Sequence, residues 1–102
     1  MIKGQHHMFL VFLRFSENKA LAPQFMDGHN DWIRRGLDDG VFLVVGSLQP
    51  NAGGAIVAHG AMLEEIEARV AEDPFVAENV VCAEIHEITP ARTDARLNFL
   101  LE

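Results

Sequence analysis

The sequence predicts an α+β domain in the order β-α-β-β-α-β, a four-stranded antiparallel sheet with two helices on one face. Three observations predict it. Four short runs, at 8–15, 41–45, 55–59 and 79–88, have the length and the aliphatic and aromatic content of strands. Two longer segments, at about 23–39 and 62–73, repeat apolar residues at helical spacing. The second and third strands are separated only by the turn-rich GSLQPNAGG at 46–54, which makes an antiparallel hairpin their default pairing.

The elements follow in order. Residues 1–7 are polar and read as loose, with His6 and His7 able to extend the first strand. MFLVFLRF at 8–15 is apolar in both of its alternating sets except at Arg14, so this strand, read as the edge of a buried layer, is covered on both faces. Helices cover one face. A chain of 102 residues has little left for the other, so a second copy packing sheet to sheet is expected. Ser16 or Asn18 is available as an N-cap, and Pro23 suits the first turn of the helix that follows. In that helix Leu21, Phe25, His29, Trp32, Ile33 and Gly36 share one stripe, Gly28 falls beside His29 on the polar side, and Gly40 ends the helix. Gly36 lies where a close approach to the sheet requires no side chain.

In the second helix Met62 or Leu63, Ile66 and Val70 form the apolar stripe, and Glu64, Glu65 and Glu67 suit its positive first turn. Pro74 stops it and pushes Asp73 out of helical geometry. In the last strand Val81, Ala83 and Ile85 make one apolar face. The tail from Pro90 to Glu102 carries Leu97, Phe99, Leu100 and Leu101, and is expected to dock on the body or on a partner.

Composition limits the function. The length is that of one domain, 1–102, and the 49% apolar content is ordinary for a folded globular protein. A net charge of −7 with only eight Lys and Arg opposes binding to nucleic acid or to an anionic membrane surface. The apolar run at 8–13 is too short for a signal or membrane segment, so a cytoplasmic protein is expected. One cysteine, Cys82, allows no internal disulfide and no Cys-based zinc spacing; it reads as a buried strand residue.

Two residues carry the chemistry. His29 is a lone imidazole on an apolar helix stripe, either a core histidine with one hydrogen-bond partner or the working group of a site. Asp73 before Pro74 caps the next turn, or orients an imidazole and stabilises its charged form. A His–Asp pair is sufficient for proton transfer without a metal or other cofactor, and none is expected. Ser47 is a hydrogen-bond donor near a strand end; Trp32, simplest as core, and Phe75 are the aromatics expected beside a ligand. His59 and His86 are weaker candidates, since HxE…H across strands lacks the three convergent ligands of a metal site.

His29 with Trp32, then Leu37, Gly40, 41–45, Gly46-Ser47, Gly54, an acidic helix and Asp73-Pro74-Phe75 resembles the YCII-related (YciI-like) family over about 8–89. The resemblance implies a ferredoxin-like fold that dimerises sheet to sheet, as in the dimeric α/β-barrel superfamily, and a site pairing His29 with Asp73 near Ser47. It further implies reactions such as dechlorination of a hydroxyhydroquinone, lactone isomerisation or cofactor-free oxygenation. The tail after Pro90 has no counterpart, and Ser47 stands where proline is frequent. The expected function is a small lyase, isomerase or dehydrohalogenase acting on a phenolic or enol-lactone substrate. The alternative is a small-molecule-binding or regulatory module on the same fold, which a ligand that binds unchanged would distinguish. A ferredoxin-like RNA binder is opposed by the charge.

Overall fold

The computed structural model describes residues 7–102. His6 lies outside them, and His7 precedes the first strand with its Nδ1 2.8 Å from Glu87 Oε2. The main elements are β1 Met8–Phe15, α1 Ala22–Asp38, β2 Phe42–Leu48, β3 Gly53–His59, α2 Leu63–Ala71, α3 Pro74–Ala77 and β4 Val81–Ile88. This is the expected order with one added turn of helix, α3. The sheet runs β2-β3-β1-β4 with every pair antiparallel. β1 is therefore central, not at an edge, because it pairs with β3 on one side and β4 on the other.

One face of the sheet meets the helices. Phe9, Val11 and Leu13 of β1 are buried with Phe42, Ile56, Ala58 and Val81 from the neighbouring strands. Trp32 of α1, Ile66 and Val70 of α2 and Phe75 of α3 complete that core. Gly36 shows how close the layers come: a Cβ there would lie 2.1 Å from the Phe42 ring. Glycine inside a helix costs about 1 kcal/mol, and full burial of a side chain such as Phe42 contributes about 1.5–3 kcal/mol. Packing wins.

The open face carries Met8, Leu10 and Phe12, which are partly exposed, and Val44 at 59% exposure. Arg14, Glu84 and His86 interrupt it, with Arg14 Nε donating to Glu84 Oε2 at 3.1 Å. The tail docks on the body. Leu100 is buried, and the Phe99 ring meets His59 edge-on at 5.3 Å, at the end of the sheet where His59 pairs with Met8.

Several local expectations change. β2 and β3 extend further into the hairpin, because Gly46, Ser47 and Leu48 pair with Ala55, Gly54 and Gly53. A ladder requires only backbone groups, so residues that read as turn can still be strand. β4 begins at Val81 because Asn79 adopts φ 59° and the Val80 amide bonds to Phe75 O. Cys82 is exposed: it pairs with Arg14 on the face that no helix covers. Neither Ser16 nor Asn18 caps α1. A 3₁₀ turn, Lys19–Leu21, intervenes, and Asn18 Nδ2 donates instead to Glu78 O at 3.2 Å. Among the described residues no helix is long and apolar enough to cross a membrane.

Candidate active site

Pro74 cannot continue α2, and it holds Asp73 at φ −64°, ψ 122°. That turn directs the Asp73 side chain back over the start of α3, where Oδ1 accepts the Phe75 amide at 2.9 Å. The capping reading of Asp73 is thus realised, with Phe75 as the amide partner. The same oxygen has a second donor. His29 Nδ1 lies 2.8 Å from Asp73 Oδ1, across 44 residues of chain. Gly28, expected only to face solvent, lets the two helices meet: a Cβ there would sit 3.1 Å from Pro74 Cγ.

The imidazole is held on its faces too. It stacks on Phe75 with centroids 3.9 Å apart and planes 4° from parallel, and Trp32 lies at 5.9 Å. Trp32 Nε1 donates to Arg69 O at 2.8 Å, which fixes the indole. An ionised carboxylate only accepts hydrogen bonds, so against one Nδ1 of His29 is the donor, and in a neutral ring Nε2 then presents the lone pair. Asp73 is 0% exposed, while the His29 side chain keeps 13%. Asp73 Oδ2 is buried with no hydrogen-bond partner among the described residues. Leaving a buried acceptor unmet costs on the order of 1–3 kcal/mol, so the core around α3 sustains this carboxyl at some cost in stability.

His29 opens on a cavity of about 280 Å³. α1 contributes Met26, His29, Asn30 and Ile33; β1 contributes Leu13 and Phe15; Val45, Gly46 and Ser47 of β2 face them, with Gly53, Gly54, Phe75 and Val81 closing the wall. Gly53 is required there. Its φ is 128°, and a Cβ would fall 1.9 Å from Leu13 O. The volume is at the small end of the roughly 300–1,000 Å³ of ligand clefts, which suits a single ring.

A second, larger concavity of about 420 Å³ lies by the end of α1 and the start of α2, lined by charged groups that include Arg35, Asp39, Glu65, Arg69 and Glu72. Arg69 donates to Asp39 at 2.9 Å within it, so much of its charge is spent internally. The smaller cavity is the better candidate, because it alone of these two carries a desolvated acid–base group.

Four of the expected site residues thus converge: His29, Asp73, Phe75 and Ser47. Trp32 stands behind the imidazole and is not among the lining residues. Met26 and Asn30 line the cavity without having been singled out. Their signal was helical spacing, since Met26 is three residues before His29 and four before Asn30. Among the described residues no three His, Cys, Asp or Glu side chains gather as metal ligands.

The model of the YCII-related domain matches residues 8–90. This chain belongs to the YCII-related family. Among solved structures it is similar to 5-chloro-2-hydroxyhydroquinone dehydrochlorinase (TftG) from Burkholderia phenoliruptrix AC1100, in complex with 2,5-dihydroxybenzoquinone. Sequence identity is 12% and the TM-score 0.65, over 87% of this chain and 97% of that one. At that identity the likeness establishes the shared fold. No curated protein matches the chain.

Proposed function

We propose that this YCII-related protein is a proton-transfer catalyst of the lyase, isomerase or dehydrohalogenase type, acting on a small phenolic or enol-lactone substrate. The observation that carries the reading is the 2.8 Å Nδ1–Oδ1 bond made by a histidine that lines the cavity, a bond that leaves Nε2 unengaged by Asp73. Asp73 holds the tautomer and stabilises the imidazolium once it forms. The ring on Phe75 limits the imidazole to one orientation, so little ordering remains to be done when substrate arrives.

In the dehydrohalogenation version, Nε2 takes the proton of a ring hydroxyl and returns it to the carbon bearing the halogen. The halide then leaves with its bonding pair as a second hydroxyl releases its proton, and the net loss is HX. Without a halogen, the first two transfers alone relocate a proton and isomerise the substrate. Ser47 and Asn30 line the same cavity and supply hydrogen bonds to the substrate's oxygens. Membership of the YCII-related family and a fold shared with a dehydrochlorinase support this chemistry.

The test uses 5-chloro-2-hydroxyhydroquinone as the probe and reads released chloride. The native protein is expected to turn it over, and His29→Ala to lose about 10²–10⁴-fold, the usual share of a general acid–base. A folded His29→Ala that keeps full turnover overturns the proposal. A ligand that stabilises the protein yet stays unchanged assigns the site to binding instead. The same reading has two copies pairing through the open sheet face, where Leu10, Phe12 and Val44 lie. Leu10→Glu is then expected to turn a dimer into a monomer in light scattering.

A further inference from the structure

We infer that the cavity selects an uncharged hydroxylated ring and rejects the same ring bearing a carboxylate. This rests on the function proposed above and narrows its substrate class. Among the described residues that line the cavity, the polar side chains are His29, Asn30 and Ser47, and none is Lys or Arg. Behind His29 stands the Asp73 carboxyl, fully buried, with Oδ2 lacking a hydrogen-bond partner among the described residues. Among the described residues that line the cavity, no cation is set against that carboxyl. The Lys19 ammonium, a nearby cation, is engaged 4.7 Å above the Phe15 ring and does not line the cavity.

A carboxylate entering this space would lose water and gain no counter-charge. It would also face Asp73 through a poorly screened interior, where like charges repel far more than in water. A hydroxyl bears no such cost. It is desolvated as a neutral group and finds Asn30, Ser47 and the imidazole as partners. The discrimination therefore comes from what the cavity wall omits as much as from what it contains.

Met26 is the position at which this can be reversed. It lines the cavity three residues before His29 on the same helix, and it is two-fifths exposed, so a long cation fits there without entering the core.

The experiment titrates the whole protein with hydroquinone and with 2,5-dihydroxybenzoate, which differ by one carboxylate. Calorimetry supplies the Kd, and the His29 ring resonances report the location. Hydroquinone is expected to bind and to shift those resonances, with the acid weaker by about tenfold or more. Met26→Arg is expected to reduce that ratio by about tenfold. Equal or tighter binding of the acid to the native protein overturns the inference. So does the absence of hydroquinone binding at millimolar concentration, or an unchanged ratio in Met26→Arg. These ratios are equilibrium quantities, so they stand or fall separately from the turnover of His29→Ala.

Discussion

The two concavities of this domain teach opposite lessons about charge. The larger one, by Arg35 and Arg69, is rich in ionic groups, but its Arg69–Asp39 pair is open to solvent on the Asp39 side and closed on itself. The smaller one has a single acid–base group, His29, whose partner Asp73 is out of contact with water. Exposed ion pairs are screened and contribute little. A desolvated pair whose histidine lines a cavity keeps its direction and strength. Capacity for chemistry follows burial and geometry here, not size or the number of charges.

That contrast can be broken by substitution. The largest effect expected is on turnover: His29→Ala loses about 10²–10⁴-fold, whereas Arg35→Ala in the other concavity leaves chloride release unchanged. Equal losses in both would erase the distinction.

Next come the glycines that shape the two walls. Gly53→Ala places a Cβ 1.9 Å from Leu13 O at φ 128°, and should cost about 1–3 kcal/mol from backbone strain plus a similar amount from overpacking. Gly60 lines the larger concavity at φ 75° with nothing within 4 Å, so Gly60→Ala should cost only about 1–2 kcal/mol. Urea unfolding of both variants measures the gap.

Removing the carboxylates gives a third comparison. Asp73→Ala loses the α3 cap and the His29 bond together, and should destabilise by about 2 kcal/mol. Asp39→Ala removes an exposed partner of Arg69 and should stay within about 1 kcal/mol. A larger loss from Asp39 would mean that the outer concavity is an ordered site after all.

The smallest effect lies in the tail, where Asp94 accepts from the Arg96 side chain and amide. The Arg96 side-chain bond, then its amide, holds the Asp94 carboxyl below the usual aspartate value. A lowered folded-state value means that this contribution is present above the ordinary aspartate range. It is lost as pH falls through the lowered value. The Arg96 amide resonance should follow that loss, with global unfolding hardly changed, because Asp94 is exposed.

Much of this was legible in the chain. Strand and helix periodicities yielded the element order, since local pattern and local structure share one period. Gly36 read as a point of close approach and is one. The misreadings have a common origin. Cys82 read as a buried strand residue because nothing basic flanks it, yet exposure depends on which sheet face the helices cover. Gly46 and Ser47 read as turn, yet a partner strand extended the ladder through them. Gly28 read as solvent-facing because nothing nearby in sequence announces Pro74 as its neighbour.

His29 and Asp73 divide along the same line. The sequence by itself determined that an imidazole lies on an apolar helix face and that a proline sets a carboxylate at the head of a turn. Both follow from residue types within a few positions of each other. Only the tertiary structure decided that one oxygen of Asp73 serves Phe75 and His29 at once, and that Nδ1 is the imidazole nitrogen it engages. That meeting depends on α1 and α3 packing side by side on one face of the sheet, through a contact that spans 44 residues of chain.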